Sequence, residues 1–244
     1  MSEGLTIAKA SFAKSLKSNQ EPAQLAPLDA AGRGCFDTDD AKLCISLHLV
    51  NLPAQGLIYF EIFHKDNLQA RAAIIDFSQV PAALRQKSPV YLGTFWEPQS
   101  HVISEHYRFV FYYQAEQDSA PQLLGQYAFC IRPPKDAIDS TIRAVAVTAG
   151  ATATHDPLPA PAHFAPDQAV YLCMQGDLGK GTLLMVQWDR GGEGMAQSIT
   201  LTKNQPNLKF SLYFLPDHGW TPGNHLATVF LNDQEVGRYP FLVK

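Results

Sequence analysis

Glycine, lysine and threonine gather in Gly176-Asp177-Leu178-Gly179-Lys180-Gly181-Thr182, where backbone amides beside an ammonium could cradle a phosphate. The spacing defeats that chemistry: a phosphate loop places Ser or Thr directly after its Gly-Lys and a Gly where Met174 stands. A turn between two strands accounts for the segment, and Arg190-Gly191-Gly192-Glu193-Gly194 reads as a second turn. The histidines are His48, His64, His101, His106, His155, His163, His218 and His225; none stands in an HExxH or HxH arrangement that would hold zinc. His64-Lys65-Asp66 and the His101/His106 pair read as solvated turns. Asp37, Asp39 and Asp40 could offer oxygens to a hard cation, yet the calcium-loop spacing is missing and a polar loop explains them. There is no GxSxG nucleophile turn and no CxxC pair among Cys35, Cys44, Cys130 and Cys173. The expectation is a protein without catalytic residues, metal or cofactor.

Aromatic residues remain as candidates for recognition. Trp188 ends the apolar run Leu183–Trp188 and is expected in the core, and Trp220 is expected to pack its own turn. Trp96, Tyr112 and Tyr113 are candidates for contact with a partner, because consecutive tyrosines on a strand must place one ring on each sheet face.

Such residues need a scaffold, and composition bounds it. The 244 residues are 46% hydrophobic and 17% charged, enough apolar material for a large core. Nineteen basic against 23 acidic residues give a net charge of −4 with no polybasic block, so nucleic acid is excluded as the main partner. No apolar run approaches the roughly 18 residues of a membrane span. The opening MSEGLTIAKASFAKSLKSNQ lacks the apolar stretch of an export signal, so the expectation is a cytoplasmic protein, or an extracellular one if the N-terminus is processed.

An internal repeat organises the chain. Gly125-Gln-Tyr127-Ala-Phe129 answers Gly237-Arg-Tyr239-Pro-Phe241, Tyr107–Tyr113 answers His225–Leu231, and Thr94–Pro98 answers Leu212–Pro216. Ile45, Leu47 and Leu49 are matched with Val170, Leu172 and Met174, Thr6-Ile7 with Thr141-Ile142, and Phe36 with Phe164. Two copies of one module follow, with domains at 1–135 and 136–244. Short runs of Val, Ile, Phe, Tyr and Thr alternate with period two between Pro, Gly, Asn and Asp clusters, which predicts strands. In the first module these begin near residue 42; Ile7–Leu16 reads as strand or short helix, and VPAALRQ at 80–86 as one helical turn.

The run Trp220-Thr-Pro-Gly-Asn-His225-Leu-Ala-Thr-Val-Phe-Leu231 with the closing Gly237-Arg-Tyr-Pro-Phe241-Leu-Val243 resembles the W-x-P-G-x-Y turn, penultimate strand and final strand of bacterial immunoglobulin-like and fibronectin-III-like domains. Tyr107 stands at the corner position in the first module and His225 in the second. The resemblance implies an all-β protein of two tandem immunoglobulin-like β-sandwich domains, acting as a non-enzymatic binding or assembly protein whose partner is another protein; the alternative is a carbohydrate-binding accessory module using exposed aromatics. The 114–124 hairpin loop, six residues longer than its counterpart at 232–236, adds Glu116, Gln117 and Asp118 to Trp96, Tyr112 and Tyr113 as the expected contact residues.

Strand phase also bears on the cysteines. With Ile45, Phe129 and Leu172 inward, Cys44, Cys130 and Cys173 point outward, and outer faces of opposing sheets cannot approach within the roughly 4.4–6.8 Å that a disulfide requires. Free thiols are expected.

Overall fold

The computed structural model describes residues 4–85, 89–97, 102–189 and 194–244. The chain divides into two compact units, Met1–Arg132 and Pro133–Lys244.

The first unit holds β1 (Thr6–Leu16), β2 (Pro22–Leu25), β3 (Gly34–Asp37), β4 (Leu43–Val50), β5 (Leu57–His64), β6 (Asn67–Asp76), a 3-10 turn (Phe77–Gln79), α1 (Ala82–Arg85), β7 (Val90–Trp96), β8 (Ser104–Gln114) and β9 (Gln122–Arg132). One sheet runs β2-β1-β4-β7, the other β3-β9-β8-β5-β6. Alternation explains the burial: Leu43, Ile45, Leu47 and Leu49 of β4 and Ile58, Phe60 and Ile62 of β5 meet Phe109, Phe111, Phe129 and Ile131 in one core.

The second unit holds β10 (Thr141–Thr148), β11 (Val170–Leu178), β12 (Leu183–Asp189), β13 (Gly194–Thr200), β14 (Gln205–Phe214), β15 (Gly223–Leu231) and β16 (Gln234–Val243). Its sheets are β10-β11-β14 and β13-β12-β15-β16. Trp188 is fully buried there, and its indole N–H donates to Gln197 Oε1 at 3.1 Å. Trp220 does more than pack its own turn: it wedges among Trp188, Phe214, His225 and Phe241.

The two sandwiches repeat one another down to their irregularities. In β1–β4 the pairing jumps from Ile7↔Leu49 to Lys9↔His48, bulging Ala8; in β10–β11 it jumps from Ile142↔Gly176 to Ala144↔Gln175, bulging Arg143. In β8–β9 Leu124 bulges after Phe111↔Gly125, and in β15–β16 Val236 bulges after Val229↔Gly237. Phe36 pairs in parallel with Ile131, and Phe164 in parallel with Val243. One match needs correction. Thr94 lies across from Ile45 and Leu212 across from Leu172, so Ile45 corresponds to Leu172, not Val170. A slip of two residues preserves the face, so side-chain alternation could not expose it.

Ile7–Leu16 resolves as strand, because β1 pairs with β4 as far as Ala13 and with β2 from Ala13 to Leu16. Helix α1 starts directly after Pro81, and Gln86 lies outside the described residues. Strands β2 and β3 escaped the sequence reading, being four residues each, too short to show a period.

The cysteines depart from expectation. Cys35 and Cys130 form a disulfide with Cα atoms 4.6 Å apart, while Cys44 and Cys173 are free and buried. The outward phase of Cys130 is as expected, since its neighbours Phe129 and Ile131 are core residues. What the phase argument lacked was β3: it pairs in parallel with β9 and puts Cys35 beside Cys130 on the same face of the same sheet. Nor are these sulfurs on open surface. Both cysteines are buried, the Cys35 N–H donates to Pro27 O, and Asp29 Oδ lies within 4.8 Å of both sulfurs.

Candidate functional site

The outer face of β3-β9-β8-β5-β6 carries the most organised set of surface side chains. Strand register arranges it in rows: Ala73–Tyr59–Tyr112–Leu123, then Arg71–Glu61–Val110–Gln126, then Leu68–Phe63–Arg108–Ala128. Tyr112 stacks on Tyr59 with ring centroids 5.1 Å apart. The Arg71 guanidinium lies 4.5 Å over Tyr59 and 3.6 Å from the Glu61 carboxylate. One row on, Arg108 lies 4.7 Å over Phe63 and reaches Asp66 at 3.4 Å. These stems and rings cover the strands, so Tyr59 is only 5% and Val110 only 3% exposed although both point away from the core. Burial first, and then the Glu61 charge, push the Tyr112 phenol above its ordinary value and keep it a hydrogen-bond donor. Leu123 and Leu68, each about half exposed, border the face at opposite corners.

The expected contact residues are distributed unevenly around it. Tyr112 belongs to the face. Tyr113 points the other way: its ring sits 6.5 Å from Phe77 and its hydroxyl donates to Gln55 O. Glu116, Gln117 and Asp118 are exposed in the 115–121 hairpin loop, which begins two residues after Tyr113. Gln114 fixes that loop by donating to Gln117 O and Ser119 O, and Ser119 Oγ accepts from the Glu116 N–H. A groove of about 500 Å³ beside it is lined by Gln55, Asp76, Ser78, Gln114 and Glu116, among others, with acidic but no basic side chains. Trp96 is not brought to this group. It packs inward against Tyr107 and Phe129, at 5.9 and 6.5 Å.

Sequence reasoning missed Tyr59, Glu61, Phe63, Arg71 and Arg108. The signal was present in β5, where Tyr59, Glu61 and Phe63 alternate with the core residues Ile58, Phe60 and Ile62.

Several other chemistry-bearing residues have structural partners. Lys14 Nζ sits 3.1 Å from Asp37 and 2.8 Å from Asp40, supplying the positive charge that the acidic loop needs. Asp29, Cys35 and Cys130 are close enough to suggest a metal ligand set, but the sulfurs are bonded to each other and Asp29 holds the Arg33 guanidinium at 2.6 Å. His48 stacks on Tyr91 and His64 on Tyr107. His101 and the turn at 190–193 lie outside the described residues.

No protein-family model matches the chain, and no curated protein does. Among solved structures it is similar to the FN1–FN3 domains of chicken CNTN1, with TM-score 0.32 and 7% identity over 90% of this chain and 67% of that one. It is similar also to extracellular domains 3–5 of Drosophila OTK, with TM-score 0.30 and 10% identity over 98% and 65%. Fibronectin(III)-like modules of Clostridium thermocellum CbhA match with TM-score 0.26 and 11% identity over 89% and 92%. The strand order, the parallel crossing onto each closing strand and the repeated bulges make this chain two tandem β-sandwich domains of immunoglobulin-like and fibronectin-III-like fold.

Proposed function

We propose that the chain is a non-enzymatic binding protein that contacts another protein through the outer face of β3-β9-β8-β5-β6, with the Glu116–Asp118 hairpin at its flank. The observation that carries this reading is the Tyr59–Tyr112 stack capped by Arg71, whose guanidinium also meets Glu61. Tyrosine and arginine held rigid on a strand lose little entropy on association, which is why such residues dominate interface energetics. A sugar platform would require an open ring face, and Tyr59 has little to offer, being covered by Tyr112 and Arg71.

The test compares the proteins captured by the wild-type chain with those captured by Tyr112→Ser/Leu123→Ser and by a chain lacking 116–121. Both variants should keep the wild-type far-ultraviolet spectrum and lose a partner that the wild type retains. Capture of the same partner at the same strength by the doubly substituted chain refutes the face, and a glycan-array signal with tryptophan quenching would replace the reading with carbohydrate binding.

A further inference from the structure

The second unit exposes an edge that soluble β-proteins normally protect. Edge strands present unpaired backbone groups, and natural sheets blunt them with charge, proline, bulges or short length. Most other edges follow that rule: Pro22 in β2, the four-residue β3 ending in Asp37, Arg71 and Asp76 in β6, a bulged Arg143 in β10, Pro206 and Lys209 in β14, and Arg238 and Pro240 in β16. Strand β7 is uncharged, but it is only partly exposed apart from Phe95, which lies beneath the Lys42 ammonium. Strand β13, Gly-Met-Ala-Gln-Ser-Ile-Thr, has no charge, no proline and no register shift against β12, and every residue except Gln197 is exposed.

Its side chains are also arranged for a particular occupant. Met195 and Ile199, 51% and 52% exposed, lie on either side of Gln197 on the face that β12 turns to the core through Leu184, Val186 and Trp188. Gln197 itself is pinned, accepting from the Trp188 indole and donating to Tyr213 O, so the middle of the edge is held rigid before any partner arrives. Exposed Tyr213 and Leu215 line the adjoining groove of about 380 Å³.

We infer that β13 pairs antiparallel with β13 of a second copy of this chain across a two-fold axis at Gln197. That register sets Met195 opposite Ile199 twice, and Ala196 opposite Ser198 twice on the other face, so apolar meets apolar and no like charges face each other. Two four-stranded sheets become one of eight strands. Seven residues at ~3.4 Å each form a short seam, which fits a weak, concentration-dependent dimer.

Sedimentation velocity of the full chain from about 1 μM to about 500 μM tests the pairing over the range expected for a small interface. The expected result is a monomer–dimer equilibrium. Ala196→Lys/Ser198→Lys, at exposed positions pointing away from the core, sets each new ammonium against one on the other copy and should weaken dimerisation by at least about tenfold. Far-ultraviolet dichroism and the melting midpoint check that the variant is folded. Mixing it with Ala196→Glu/Ser198→Glu should restore a dimer containing one chain of each. A wild-type chain that stays monomeric at the highest concentration overturns the inference and leaves the edge to an extended segment of another protein. A dimer that the paired lysines do not disturb, or that the mixture does not restore, overturns it as well.

Discussion

In the last strand of the first unit the Tyr127 hydroxyl lies over Gly125, 2.8 Å from where a Cβ would stand, and in the second unit Tyr239 lies over Gly237 at 2.5 Å. Each tyrosine reaches back two residues along its own strand to cover the glycine beside the bulge at Leu124 or Val236. The glycine is there for proximity: a methyl group would push the ring away. Gly125→Ala and Gly237→Ala should each destabilise the unit that carries them by about 1 kcal/mol, the lower range of overpacking costs. Calorimetry of the full chain reads this as a shift of one unit's transition, and no shift for either variant would show that the rings can move away freely.

The Cys35–Cys130 link closes a loop with a sequence separation of 95 residues, and removing it frees the unfolded first unit. Cys35→Ser/Cys130→Ser should cost about 2–4 kcal/mol. Alkylation of the denatured chain without reductant should label Cys44 and Cys173 only. Labelling of all four cysteines would refute the bridge.

How far this fold could be read from sequence depended on whether an element leaves a repeating mark. The duplication was legible because Gly, Tyr and Phe recur at one spacing in both closing strands, and that spacing reflects a real contact, the tyrosine over the glycine. The corner residues were legible as positions: Tyr107 donates to Val102 O, and His225 Nε2, 2.7 Å from Thr221 O, makes the equivalent bond with a different ring. Strand β3 left no mark, since Gly-Cys-Phe-Asp has no period, and without it the disulfide could not be found. Tyr112 was legible as an outward ring, whereas Arg71 and Glu61 became its neighbours only through the registers of β5–β6 and β5–β8, which pair residues far apart in the chain.

Acid should loosen the loop over the disulfide before it unfolds the unit. Asp29 accepts from the Arg33 and Ala31 backbone N–H groups and from the Arg33 guanidinium. The Arg33 backbone bond is the foremost cause holding the Asp29 carboxyl below its ordinary value of 3.8. A depressed value in the folded state means that the carboxylate stabilises the fold above pH 3.8 and ceases to do so as pH falls through the folded value. Asp29→Asn should therefore lower the melting midpoint at neutral pH and flatten its fall below about pH 4. Parallel midpoint-against-pH curves for the two proteins would rule this out.

The Lys14 ammonium bridges the carboxylates of Asp37 and Asp40. Burial alone would lower its ammonium, but hydrogen bonds to Asp40 and Asp37 outweigh burial and hold it above the ordinary value of 10.5. Its contribution is thus complete below pH 10.5 and is lost only as pH rises through the folded value. Removing it leaves two partly buried carboxylates facing each other, with Asp40 still accepting from the Asp37 N–H. Lys14→Ala should destabilise the first unit by about 1–2 kcal/mol, between the worth of an exposed pair and a buried one. Calcium supplies hard positive charge that suits paired carboxylates, so millimolar calcium should raise the melting midpoint of Lys14→Ala and leave that of the wild type unmoved. Equal response of both proteins would mean that the ammonium does not fill the place of a cation, and that the acidic loop takes up metal beside it.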